Sequence, residues 1–275
     1  MPAVADDGEL RQLAARAADG DSAALERLLA AVSDSVYRLA LRMLWQREDA
    51  EDAAQEALIR IMTRIGTYRG EAAFATWAYR VAANHILNFR KSRAEQENLT
   101  FGRYGEQLAE GLEAPDTTRP DADLLAEEVK LGCTLGMLLC LDRDHRLAYI
   151  LTDIFDLPSQ QAAFICGITP AGVRKRASRA RNRLREFVSV HCGLVNKTAK
   201  CRCDRRVNAA VRNGRVQPGQ LSFVGDADPS RAVGEMERLH DLASLMHSHP
   251  DYRAPDAMTQ AIQTVIASGK YSVLQ

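Results

Sequence analysis

Apolar residues recur at helical spacing through most of the chain, and period-two alternation is rare. In segment 22–44, Leu25, Leu28, Leu29, Val32, Val36, Leu39, Ala40 and Met43 fall on one face and predict a long amphipathic helix. Segment 47–65 repeats the pattern with Ala50, Ala53, Ala54, Ala57, Leu58, Ile61, Met62 and Ile65. It opens on carboxylates, which suit the positive end of a helix dipole. A Gly-containing loop then leads into a third helix, expected to run to Arg90, Lys91 and Arg93. Residues 1–93 thus read as a first helical domain.

The period is lost over 94–127. From Glu95 to Glu128 there are ten acidic residues and two basic ones, Arg103 and Arg119. That bias predicts a flexible acidic linker. Helical spacing returns over 128–190. There the stretch 158–167 reads as a short helix that Pro158 can start and Gly167 can stop, and a second follows with Thr169 as N-cap and Pro170 in its first turn. Helix, tight glycine turn, helix is the helix-turn-helix pattern. Residues 191–275 form an extension with two apolar faces, Met236, Leu239, Leu242, Ala243 and Met246, then Met258, Ile262, Val265 and Ile266. The predicted fold is all-α: two helical domains, 1–93 and 128–190, joined by the linker 94–127 and followed by a mostly helical extension, 191–275.

Charge adds one sharp feature. The 275 residues carry 36 basic and 36 acidic side chains, yet residues 172–186 hold Arg174, Lys175, Arg176, Arg179, Arg181, Arg183 and Arg185 against the single acid Glu186. Val173, Ala177, Ala180 and Leu184, continued by Phe187 and Val188, give this helix an apolar anchor. A helix anchored on one side and positive on the other suits phosphate contact and entry into the DNA major groove. Arg174, Lys175, Arg176 and Ser178 are placed for base edges, and later arginines such as Arg179 and Arg181 for phosphate. No stretch approaches the roughly 18 apolar residues of a membrane span. The first residues are acidic and lack a signal-peptide core, and the six cysteines are dispersed. Together these predict a protein of the reducing cytoplasm. There is no Gly-rich phosphate loop and no H-E-x-x-H, so nothing predicts an enzyme.

Three motifs in order resemble a bacterial RNA polymerase sigma factor of the extracytoplasmic-function (ECF) group. The sequence "DAEDAAQEALIRI" (49–61) is similar to that family's polymerase-clamp-binding helix, which implies polymerase contacts at Asp49, Asp52, Gln55 and Glu56. The sequence "FATWAYRVAANHILNFRKSR" (74–93) resembles the element that opens and reads minus-ten promoter DNA. It implies base stacking by Phe74, Trp77 and Tyr79, a base-edge contact from Asn84, and backbone contacts from Arg80, Arg90 and Lys91. Core packing is expected for one of Phe74 and Trp77, and Tyr79 and Asn84 stand first for DNA contact. Residues 157–186 resemble the minus-35-binding domain. The resemblance implies RNA polymerase core and promoter DNA, double-stranded and melted, as partners, with an anti-sigma protein as a further one, no membrane role and no required cofactor. The competing reading is a conventional helix-turn-helix regulator that never joins the polymerase.

The extension departs from the family, most of whose members end soon after the second domain. Its apolar faces predict packing back onto a DNA-binding domain, inhibiting in cis, or docking of another protein. His191, Cys192, Cys201 and Cys203 are a candidate zinc cluster, weighed against free thiols. His240, His247 and His249 are weighed as further ligands against scattered surface histidines.

Overall fold

The computed structural model describes residues 7–91, 93–96, 98–115, 118–224 and 241–268. Among them every regular element is helical, and the one β-type pairing is an isolated bridge between Cys192 and Cys201. His240, Met236 and Leu239 lie outside the described residues. No described helix is long and apolar enough to cross a membrane. The chain divides into two compact units.

The first unit comprises Met1–Ser92, Ile150–Arg176 and Asp251–Gln275. Helices α1 (Asp7–Ala18), α2 (Ser22–Leu44), α3 (Arg47–Thr63) and α4 (Phe74–Asn88) form its bundle. The Asp21 carboxylate caps α2 by accepting from the Ala24 N–H at 3.0 Å. Every residue of the apolar stripe predicted on α2 is buried, as is the alanine-rich stripe of α3. Small side chains there let α3 approach α2 and α4 closely. Helix α4 stops earlier than expected. Phe89 leaves the helical region (φ −63°, ψ 154°), so Arg90 and Lys91 continue as extended chain. After Ile150–Ile154, a π-helical turn closed by Phe155 N–H donating to the Ile150 carbonyl at 2.9 Å, come α9 (Ser159–Cys166) and the start of α10 (Pro170–His191).

The turn between α9 and α10 follows the expected chemistry. Gly167 is left-handed (φ +65°), and the Thr169 hydroxyl accepts from the Gly172 N–H at 3.1 Å. Gly167→Ala is expected to cost about 1–2 kcal/mol, because a Cβ is disfavoured at this φ. Urea unfolding would show a lower midpoint at an unchanged slope.

The second unit comprises Arg93–Tyr149 and Ala177–Pro250. Its axis is α7 (Ala122–Leu139), followed by α8 (Arg143–Tyr149). Arg146, only 1% exposed, satisfies the carbonyls that α7 leaves open at its C-terminus. Its Nε donates to Leu138 O at 2.9 Å, and Nη2 donates to Leu139 O and Leu141 O at 3.2 and 2.9 Å. Its Nη1 donates to Glu95 at 3.0 Å, while Arg143 grips the same carboxylate at 3.0 and 2.7 Å. Further back on α7, the buried Glu128 carboxylate accepts three consecutive N–H groups, those of Ser222, Phe223 and Val224.

Two expectations change here. The segment 94–127 is not a featureless tether: it contains α5 (Arg93–Gln96), α6 (Phe101–Ala109) and the start of α7. Tyr104 and Leu108 of α6 are buried, and Glu95 is an ion-pair partner rather than a solvated charge. The excess of acid hid a short apolar face of Phe101, Tyr104 and Leu108, spaced by three and four. The extension is likewise not one body. Helix α11 (Cys203–Arg212) packs on α7, placing Val207, Ala210 and Val216 against Leu125, Ala126 and Val129. Helix α12 (Leu242–His247) also belongs to this unit, and α13 (Asp256–Ala267) to the first.

Candidate nucleic-acid interface

The outer edge of α4 carries half-buried Trp77 and exposed Arg80, Asn84 and Asn88 at steps of three, four and four. That spacing makes a single stripe along the helix. Arg60 and Arg64, four apart at the C-terminal end of α3, stand beside it. Two adjoining hollows follow: one lined by Arg64, Tyr68, Trp77, Arg80 and Phe164, the other by Arg60, His85, Asn88 and Arg90. Asn84 and Arg64 line both. Burial, and after it Arg60, hold the His85 imidazole below its usual range although Glu56 lies 3.3 Å away. It is therefore neutral at pH 7, and the positive charge of the patch is guanidinium. An aromatic surface, a two-sided amide and several arginines in one concave patch can stack a base, read its edge and hold phosphate.

Two residues expected in this patch belong to the core. Phe74 is fully buried, its ring 5.5 Å from Tyr68 and 5.7 Å from Trp77. It backs the half-buried Tyr68 and Trp77 rings. Tyr79 is 7% exposed, with its hydroxyl directed at the Ser35 carbonyl and its ring 6.1 Å from Phe155. Both lie on the inward face of α4, where the bundle needs large apolar side chains. Arg60, Arg64, Tyr68 and Asn88 were missed. The repeat of four in Arg60–Arg64 and Asn84–Asn88 was visible, but nothing in the sequence placed the two helix edges side by side.

The four candidate polymerase contacts lie on the first half of α3. Asp52 and Glu56 are exposed, Asp49 and Gln55 half-buried. Arg90 donates to Asp49 at 2.7 Å and to Asp52 at 3.3 Å. This side chain, expected on DNA phosphate, instead ties the end of α4 to the start of α3. Lys91 is exposed.

On α10 the predicted anchor is buried throughout, from Val173 to Val188. Arg174, Lys175, Ser178 and Arg179 are exposed, and Arg176 and Arg181 half-exposed. Arg174 donates to the Ser159 hydroxyl at 3.3 Å, linking the two helices of the motif. Helix α9 packs on α4, where Phe164 lies under the Arg80 guanidinium at 4.8 Å.

The start of the last described segment clasps α2 at three successive turns. Asp34 Oδ1 accepts from the Ala254 N–H at 2.9 Å, Arg38 pairs with Asp251 at 2.9 Å, and Arg42 lies between the rings of Tyr252 and Phe155 at 5.5 and 5.3 Å. Met258, Ile262 and Ile266 seat α13 on α2 and α3. Val265, expected on the same face, is only half-buried.

The zinc cluster expected at His191, Cys192, Cys201 and Cys203 is not assembled in that form. His191 stacks on Phe187 at 4.7 Å and fills the space beside Gly105. Among the described residues, no group of three or more His, Cys, Asp or Glu side chains stands ready to hold a metal ion. His249 meets the Thr134 hydroxyl.

Residues 28–96 match the family described as Sigma-70 region 2, and residues 131–184 match Sigma-70, region 4. The chain is similar to the ECF RNA polymerase sigma factor SigE of Mycolicibacterium smegmatis, 29% identical over 186 residues, 66% of this chain and 69% of that protein. It is also similar to the RNA polymerase sigma-H factor of Pseudomonas aeruginosa, 29% identical over 62% of this chain and 89% of that protein. The ECF RNA polymerase sigma factor SigW of Bacillus subtilis is 29% identical over 61% of this chain and 90% of its own length. Residues 185–275 lie outside both family matches.

Proposed function

We propose, for a chain that belongs to the extracytoplasmic-function group of sigma factors and directs promoter-specific transcription initiation, a division of labour among its helices. The edge of α4 takes the melted minus-ten strand, α10 takes the minus-35 duplex, and the first half of α3 docks on the polymerase core. The observation that carries this reading is the stripe of half-buried Trp77 and exposed Arg80, Asn84 and Asn88, with Arg60 and Arg64 beside it. A conventional regulator would need none of these.

The mechanism uses binding alone. Trp77 supplies a stacking face worth about 1–3 kcal/mol per base. Asn84 presents both a donor and an acceptor to a base edge. Arg80, Arg60 and Arg64 neutralise backbone phosphate. Two weak sites on one chain reinforce each other through effective concentration. The zinc expected of the extension has no part in these steps.

Asn84→Ala is expected to reduce open-complex formation on a cognate promoter about tenfold, a loss of roughly 1.4 kcal/mol. Binding to a minus-35 duplex should be unchanged. Potassium permanganate footprinting of the bubble and a duplex gel shift read the two separately. Equal losses in both would defeat the assignment. Lys175→Ala should weaken duplex binding and lower its salt slope by about one.

The extension supplies regulation. The clasp holds Asp34, Arg38 and Arg42 of α2, and α13 sits on α2 and also on α3, the helix that carries the polymerase contacts. Phe164 of α9 covers part of the minus-ten patch. Both contacts have to open before the factor engages core and promoter, so the described arrangement is a resting state. An anti-sigma protein acting in trans would compete for the same α2–α3 surface.

A further inference from the structure

The positive charge of α10 does not stop where the helix stops. The part of α10 that belongs to the second unit carries an exposed stripe of Ser178, Asn182, Arg185 and Ser189, at steps of four, three and four. Arg179 and Arg183 are exposed beside it. The stripe leads into the loop 192–202, which precedes α11 and lies outside both family matches. Residues 177–203 hold seven Lys and Arg against one acid, Glu186, so the excess of positive charge continues past the helix end. Two of the seven, Lys197 and Lys200, are exposed on the loop, and among the described residues neither meets a carboxylate.

The loop is ordered by its own polar groups. Asn196 Nδ2 donates to Ser189 O at 2.6 Å, which docks the loop at the end of the stripe. Its Oδ1 accepts from the Thr198 N–H and hydroxyl at 3.0 and 2.8 Å. The N–H groups of Val195 and Asn196 both donate to Cys192 O, at 3.2 and 2.8 Å. Arg202 is used internally: Nη1 donates to Ala199 O at 2.7 Å and Nη2 to Lys197 O at 2.9 Å. A Cβ at position 193 would overlap that guanidinium, so Gly193 lets the loop close tightly. The backbone around the two lysines is thereby fixed while their side chains face solvent. A cation near the C-terminus of α10 complements the helix dipole. That accounts for one lysine, not for two on an ordered loop that extends the charge of the stripe.

We propose that Lys197 and Lys200 extend the DNA-binding surface of α10 by gripping the phosphate backbone beside the minus-35 element. The inference rests on the assignment of α10 to the minus-35 duplex. A recognition helix meets base edges with its N-terminal residues, and its C-terminal end reaches the backbone. The span from Ser178 to Ser189 rises about 17 Å, longer than the roughly 12 Å width of the major groove, so the loop that follows comes out at the phosphates bordering the groove. Lysine is a compact charge on a flexible stem and meets phosphate without a fixed geometry. The contact therefore adds affinity and no sequence preference. Asn196 and Arg202 hold the loop in place before DNA arrives, which lowers the ordering cost of binding.

The test titrates the full chain onto a labelled minus-35 duplex at several salt concentrations, read by fluorescence anisotropy. Lys197→Ala and Lys200→Ala are each expected to lower the salt slope by about one, and the double variant by about two. Cognate and scrambled duplexes should lose affinity by the same factor. Replacing both lysines by arginine should keep the wild-type slope, as should Arg27→Ala, which removes one exposed charge from the first unit. Hydroxyl-radical footprinting of the holoenzyme on a promoter gives a second reading. Backbone protection bordering the minus-35 element should disappear in the double alanine variant while the rest of the footprint stays. An unchanged slope and footprint in that variant, with Lys175→Ala still lowering the slope, would overturn the proposal alone. If Lys175→Ala also changes nothing, the assignment of α10 falls and this inference falls with it. A loss confined to the cognate duplex would overturn it too, because that loss belongs to base-edge contacts.

Discussion

Replacing Arg146 with alanine is expected to cost the second unit about 3–5 kcal/mol, the range for breaking a buried, hydrogen-bonded ion pair. One side chain there holds three carbonyls at the end of α7 and one oxygen of Glu95. Removing it leaves those acceptors in a space that water enters poorly, so the loss is that of desolvated groups left unpaired rather than of one contact. Arg143 still grips Glu95 in the variant, which keeps the loss from being larger. Domain stabilities are commonly about 5–15 kcal/mol, so this is a substantial fraction of the total. Thermal unfolding by circular dichroism should show a lower melting temperature for the transition that carries α7. Lysine restores a charge but not the fork that reaches several acceptors at once, so Arg146→Lys should recover little. A melting temperature within a degree of wild type in Arg146→Ala would refute the assignment.

The second large effect concerns regulation. Ending the chain after Pro250 removes the clasp and α13 while leaving the second unit, which ends at that residue, whole. The shortened protein is expected to bind core polymerase about tenfold more tightly and to initiate correspondingly more often, equivalent to about 1.4 kcal/mol. The apolar seat of Met258, Ile262 and Ile266 and the stacking of Tyr252 on Arg42 supply most of that. The Arg38–Asp251 pair supplies less, since Asp251 is 86% exposed and solvent screens its side of the pair even though Arg38 is buried. Tyr252→Ala should therefore reproduce much of the gain and Asp251→Ala almost none. Core affinity by fluorescence anisotropy and multi-round transcription measure both, and equal activity of full-length and shortened protein would sink the regulatory reading. Cutting after Val190 is a poorer experiment, because Val207, Ala210 and Val216 belong to the core around α7.

Periodic segments were legible in the sequence. The stripes of α2, α3 and α10 and the Gly167–Thr169 turn are physical consequences of side chains set three and four apart, together with one left-handed residue. Tyr79 was not legible as core, because aromatic residues serve both for stacking and for packing, and only the bundle decides which edge of α4 faces in. Glu95 and α6 were hidden by averaging: ten acids over 34 residues look solvated until half-buried Arg143 and buried Arg146 arrive from 48 and 51 residues away. Arg90 pairs with Asp49 across 41 residues, and no local window contains that contact.

The clasp of Asp251, Tyr252 and Ala254 on α2 has a quantitative consequence, because its two halves are one molecule. Its closed fraction is a first-order equilibrium and does not change with expression level. A separate inhibitor can be outrun by making more of the factor, whereas an inhibitor in cis, as proposed for this clasp, is synthesised in equal amount with its target. Transcription from the promoters it reads should then scale linearly with the amount of protein, without a threshold, and the only way to raise output per molecule is a ligand or partner that prefers the open clasp.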